Sequence, residues 1–184
     1  MNHFASMQAG RSGISLETGG LGHAVLGWAD DREMSGFFDI YSQRIDQNCN
    51  TLYSLPSEGG KIVSSVGSAD LLTRHPRITY MNESTTVMVW EDYRNGSDYD
   101  IIGREIDLSS GPTSSEIYFS SDTTNQQKPL VKSVAAGEYI IIWEDGRGYY
   151  NSDPLLINGV DLYGSAYIVG FGKTTGVDGI PISV

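Results

Sequence analysis

The chain has 184 residues and a formal net charge of −11, from 12 Lys and Arg against 23 Asp and Glu. That balance argues against nucleic acid as a partner, since phosphates need a basic surface, and against docking on anionic membranes. One cysteine, Cys49, leaves no intrachain disulfide and no thiolate zinc site, and no apolar run approaches the ~20 residues of a membrane span.

The chain opens with "MNHFASMQAGRSG", which has no basic segment followed by an apolar one and does not read as a signal peptide. Either the protein is cytoplasmic, or this is a mature region or fragment whose leader is missing. The first predicted strands are "SGISLE" and the apolar "HAVLGW", which ends at Trp28. After a turn, a third strand starts at Asp39-Ile40, and "GKIVSSV" supplies a fourth. The same order returns as "HPRITY", "TTVMVW" ending at Trp90, a strand from Asp100-Ile101, and "SSEIYFS". It returns again as "KPLVKSV", "EYIIIW" ending at Trp143, a strand from Asp161-Leu162, and "DGIPISV". No segment sustains a 3.6-residue apolar period, so almost no helix is predicted.

Three copies of one unit account for this order. The core W-[AE]-D-x-R occurs as Trp28-Asp30-Arg32, Trp90-Asp92-Arg94 and Trp143-Asp145-Arg147. The following Asp (Asp39, Asp100, Asp161) stands 11, 10 and 18 residues after the Trp, so the third copy carries an insertion within "GYYNSDPLLING". The tryptophans are 62 and 53 residues apart, and four short strands at that period are the signature of a β-propeller blade. The predicted fold is therefore all-β, with three four-stranded antiparallel blades cut at 1–68, 69–124 and 125–184. Ser42, Gly103 and Gly164 stand at one place in the third strand, where a small residue admits a neighbouring backbone. Propellers close with about four to eight blades, so three make a half-propeller. The expected partner is a second copy, in a homodimer of half-propellers; the runner-up is a piece of a longer chain.

The pattern W-[DE]-D-x-R…D-I-Y-x-Q-R-I-D resembles the tandem β-propeller repeats of bacterial and archaeal secreted and cell-surface proteins. The resemblance covers essentially the whole chain and is closest in the first two copies; the third lacks the Gln-Arg-Ile-Asp ending. It implies a propeller fold and an extracellular or cell-surface setting. It implies no reaction.

Features present in every copy read more readily as scaffold than as chemistry, because catalysis needs one asymmetric constellation. The arginines Arg32, Arg94 and Arg147 are expected to clasp carboxylates of their own copies (Asp30, Asp92 and Asp145 lie nearest), chiefly the Asp that opens the next strand. Trp28, Trp90 and Trp143 are expected as buried blade anchors with hydrogen-bonded indoles, in preference to sugar platforms. Asp92, Asn95, Asp98 and Asp100 offer oxygen ligands to calcium, but Asp30, Asp31 and Asp39 preserve only part of that set, and the spacing matches no standard loop. No cofactor is expected, with calcium as the alternative. His3, His23 and His75 form no metal-ligand spacing, and Glu33, Glu58 and Glu138 fall in predicted turns.

Tyr149, Tyr150, Asn151 and Asp153 break the threefold pattern, and such residues suit polar ligand recognition. On this reading the protein is a non-catalytic binding or scaffold module for a carbohydrate or a cell-surface protein. The alternatives are a glycoside hydrolase or lyase with carboxylates around a central channel, and a purely structural repeat. The discriminating feature is asymmetry: an enzyme should show unrepeated acidic residues at the channel mouth, and the sequence offers few.

Overall fold

The computed structural model describes residues 13–19, 22–30, 38–53, 61–64, 73–112, 114–146, 161–168 and 180–181, with side chains of 161–168, 180–181 and Lys61–Ile62 left aside. They form three antiparallel sheets and contain no α-helix. The first sheet is β1 (Ile14–Gly19), β2 (His23–Asp30), β3 (Asp39–Asp46) and β4 (Lys61–Ser64). The second is β5 (Thr73–Tyr80), β6 (Thr85–Asp92) and β7 (Asp100–Asp107). Its outer edge is split: β8 (Gly111–Pro112) pairs with the end of β7, and β9 (Ile117–Ser120) with its start. The third is β10 (Gln126–Ala135), β11 (Glu138–Asp145), β12 (Asp161–Ile168) and β13 (Ile180–Pro181). Glu138, expected in a turn, opens β11.

The sheets stack in chain order, and the middle one is covered on both faces. Strand β6 shows the consequence: Val87, Met88, Val89 and Trp90 are all 0 % exposed. Met88, Trp90, Ile102 and Ile106 join Val25, Ile40 and Val63 of the first sheet in one core cluster. Val87, Val89, Ile101 and Phe119 join Tyr139, Ile141 and Trp143 of the third sheet in another. A near-continuous apolar strand is what two-sided burial requires.

Crowding within the second sheet also explains a glycine. A Cβ on Gly103 would lie 2.8 Å from the Met88 carbonyl oxygen and 2.6 Å from the Phe119 ring. Polar pegs cross both junctions. Ile78 N–H donates to Ser15 Oγ (3.2 Å) and Arg104 to the Val63 carbonyl (2.8 Å) between the first two sheets. Ser133 N–H donates to Thr79 Oγ1 (3.2 Å) and Gly137 N–H to the Met81 carbonyl (2.8 Å) between the last two.

Candidate functional site

The repeated motif is built at one end of each hairpin. Trp and Asp two residues apart on a strand share a face, and each indole N–H reaches the carboxylate beside it. The bonds are Trp28 Nε1 to Asp30 Oδ2 at 3.2 Å, Trp90 to Asp92 at 3.0 Å and Trp143 to Asp145 at 3.2 Å. Asp92 and Asp145 are 0 % exposed and Asp30 is 8 %. The second Asp of each motif stands directly across the ladder: Asp30↔Asp39, Asp92↔Asp100 and Asp145↔Asp161. Like charges placed so repel, and something must relieve them.

In the second copy Arg94 relieves one member. Its Nε donates to Asp92 Oδ1 (2.8 Å) and Nη2 to Asp92 Oδ2 (2.6 Å). Nη1 donates to Glu116 Oε2 (2.5 Å), and Nη2 also meets Ser64 Oγ (2.9 Å) on the first sheet. The Asp92 carboxylate, then Glu116, hold the guanidinium well above its ordinary pKa. Arg94 is expected to bond carboxylates of its own copy, chiefly Asp100; the bonds run to two other carboxylates of that copy, Asp92 and Glu116, and to Ser64. The physical reason is that Asp92 and Glu116 fill the guanidinium fork, with Ser64 beside them. Arg32 and Arg147 lie outside the described residues, as do Glu33 and Glu58.

Asp100 is left with weak support. It is 4 % exposed, and its Oδ1 has no hydrogen-bond partner. Asn95 Nδ2 joins it to Asp98, at 3.2 Å from Asp100 Oδ2 and 2.6 Å from Asp98 Oδ1. Burial, then the charges of Asp98 and Asp92, push the Asp100 carboxyl up to about 6. Asp98 is itself only 8 % exposed. It stands two residues before Asp100, where the other copies have Phe37 and Gly159, so the repeat does not explain it. Among the described residues no group of three or more His, Cys, Asp or Glu is arranged to hold a metal ion.

The same end carries a second charged group, toward the strands β5 and β10. Glu91 is 0 % exposed and accepts from Arg74 Nε (2.6 Å) and the Lys128 backbone N–H (2.7 Å), with His75 Nδ1 at 2.9 Å. His75 and Lys128 both adopt φ of 51°, each just before a proline and each where the ladder slips register. These paired bulges bring both residues to one carboxylate. Arg74 lies over the Tyr99 ring, 4.0 Å from its centroid, and Tyr99 meets Tyr93 at 4.9 Å. The sequence reading passed over Glu91, Tyr93, Tyr99 and Glu116; the one available signal was that Tyr93 and Asp98 have no counterpart in the other copies, whereas Phe38 stands where Tyr99 does.

This end can present two buried carboxyl groups, Asp98 and Asp100, beside a tyrosine pair. Tyr149, Tyr150, Asn151 and Asp153, the residues expected to bind ligand, lie outside the described residues. At the opposite end a cavity of about 320 Å³ is lined by His23, Arg44, Tyr80 and Glu83 among others. It holds one acidic side chain and no carboxyl pair.

No protein-family model matches the chain. No curated protein matches it in sequence. Solved structures do match in fold. An α-L-arabinanase of Penicillium chrysogenum, complexed with arabinobiose, superposes with a TM-score of 0.56 at 11% identity, over 85% of this chain and 46% of that one. An endo-arabinase of Bacteroides thetaiotaomicron gives 0.50 at 15%, over 87% and 57%. The α-L-arabinofuranosidase Arb93A of Fusarium graminearum gives 0.50 at 11%, over 78% and 41%. The chain thus spans about half the length of the structures it resembles. The expectation of a non-catalytic binding or scaffold module is corrected by these likenesses. It took threefold repetition as the mark of a scaffold alone, whereas the structures that share the frame are glycan-cleaving enzymes. What the comparisons give this chain is an all-β, β-propeller-like fold of antiparallel sheets.

Proposed function

We propose that the chain is part of a glycoside hydrolase of propeller type, its three sheets serving as three blades, and that it cleaves an arabinose-containing glycan outside the cell. The observation that carries this reading is the Asp98–Asn95–Asp100 set beside Tyr93 and Tyr99, on a frame like that of arabinan-cleaving enzymes. Glycoside hydrolysis uses two carboxyl groups: one protonates the leaving oxygen, and the other acts as base or nucleophile. Asp100 suits the acid role, since it keeps its proton to about 6. Asp98 suits the second role. The Tyr93–Tyr99 pair offers apolar ring faces with hydroxyl tips, the surface that a sugar ring stacks on. The connection from Asp145 to Asp161, which includes Tyr149, Tyr150, Asn151 and Asp153, leaves and re-enters its sheet at the corresponding hairpin end.

The test is release of reducing ends from arabinan and arabino-oligosaccharides by the wild-type protein, alongside Asp98→Asn and Asp100→Asn. The expected result is hydrolysis that falls at least a hundredfold in both variants while their circular dichroism is unchanged. Absence of hydrolysis with the wild type, or full activity in both variants, overturns the reading.

A further inference from the structure

We infer that the cavity between the first two sheets, at the end opposite Asp98 and Asp100, binds a small organic carboxylate of monosaccharide size, with Arg44 as its anchor. Such binding is independent of the hydrolysis proposed above.

Strand alternation builds the site. Arg44 on β3 stands across the ladder from Val25, which lies in the core cluster with Ile78 and Leu108. Arg44 therefore faces the junction with the second sheet, and its Nη1 donates to the Leu108 carbonyl at 3.2 Å. His23, two residues before Val25, shares that face. Tyr80 ends β5 and packs against the same cluster. A Cβ on Gly19 would lie 2.6 Å from the Tyr80 ring, so the glycine makes room for that wall. With Thr18, Asn82, Glu83 and Leu108 these groups line a space of about 320 Å³, at the small end of ligand pockets.

The polar groups of this wall are not used up by the fold. Among the described residues the one hydrogen bond of the Arg44 guanidinium is that to Leu108; its Nε is buried with no partner, and Nη2 is left for a ligand. His23 Nδ1 is also buried with no partner. The acids at neighbouring strand ends are engaged elsewhere: Asp46 with Asn48 and Asn50, Asp107 with Ser109 and Ser110, and Glu17 with Lys132. Arg74 and Arg94, by contrast, each hold a buried carboxylate. Unmet donors cost stability, and local rules are broken in this way chiefly at functional sites. Nor does the repeat explain these side chains. Arg44 stands where the other copies have Glu105 and Ala166, and His23 where they have Thr85 and Glu138. Both break the threefold pattern, as a site does and a scaffold does not.

The lining selects the ligand. A lone guanidinium suits one anionic group, and its planar shape matches a carboxylate. Glu83, exposed at the rim, disfavours a doubly charged phosphate. Tyr80 and Leu108 give the body of the ligand an apolar wall. A sugar acid and an aromatic acid share that chemistry.

Isothermal titration calorimetry on the protein tests this, with sodium glucuronate and sodium benzoate as probes and glucose and inorganic phosphate as contrasts. At least one of the two carboxylates is expected to bind, the tighter being glucuronate for a sugar-acid site and benzoate for an aromatic-acid site, while glucose and phosphate give no saturable heat. Arg44→Gln should weaken that binding at least about tenfold with unchanged circular dichroism, through loss of a charge-assisted hydrogen bond. Glu83→Lys, at an exposed residue, should tighten it at least about twofold. Saturable binding of neither carboxylate overturns the inference. So does glucose or phosphate that binds as tightly, an Arg44→Gln protein that folds and binds as before, or a Glu83→Lys protein that binds no more tightly.

Discussion

Arg94→Ala removes a side chain whose bonds the structure counts one by one. Two run to Asp92, which is 0 % exposed, and two to Glu116, whose side chain is 21 % exposed. Hydrogen bonds to charged groups contribute about 1.5–3 kcal/mol each when taken singly, but they are not additive. The guanidinium is itself 25 % exposed, so solvent screens part of the gain. After truncation Asp92 still accepts from Trp90 Nε1 and from the backbone N–H of residue 94. It loses its counter-charge, and a buried carboxylate without one is costly. The net loss is about 3 kcal/mol, which lowers the melting temperature by roughly 6–12 °C for a chain of this size. Thermal melts followed by circular dichroism measure it. Arg94→Lys, which keeps the charge and loses the two-pronged fork, should recover about half. An Arg94→Ala protein that melts within about 2 °C of the wild type would refute the clasp.

Two further outcomes follow from the same end of the sheets. The Asp100 carboxyl, at about 6 when folded against an ordinary 3.8, binds more protons in the native than in the unfolded state between those values. Stability therefore falls as pH rises from about 4 to about 6 and stays lowered above that. Asp100→Asn should flatten this slope in melts taken across pH and raise stability at pH 7 by up to about 2–3 kcal/mol, while abolishing hydrolysis; an unchanged slope would refute the assignment. Gly103→Ala should cost about 1–3 kcal/mol in urea unfolding, because its Cβ meets the Met88 carbonyl and the Phe119 ring; a neutral result would mean the second sheet is less tightly packed around β7 than described.

The sequence by itself determined what is local. Trp and Asp two apart must share a strand face, so the W-x-D bond can be read directly from spacing, and so can the four-strand order of each unit. The hairpin register that sets Asp92 against Asp100 is also short-range, fixed by a turn of few residues. The tertiary structure decided what connects elements remote in the chain. Arg94 lies 22 residues from Glu116 and 30 from Ser64, and Glu91 lies 37 from the Lys128 N–H; no period or spacing marks those pairs. That Arg94 holds Asp92 and Glu116 of its own copy and not Asp100 has the same origin. Within the hairpin Asp100 is near enough to bond it, and only the stacking of the first sheet on the second, with Ser64 beside Glu116, settles which carboxylate holds the guanidinium. Local pairing follows from backbone geometry and side-chain alternation, whereas contacts between sheets depend on how whole faces stack.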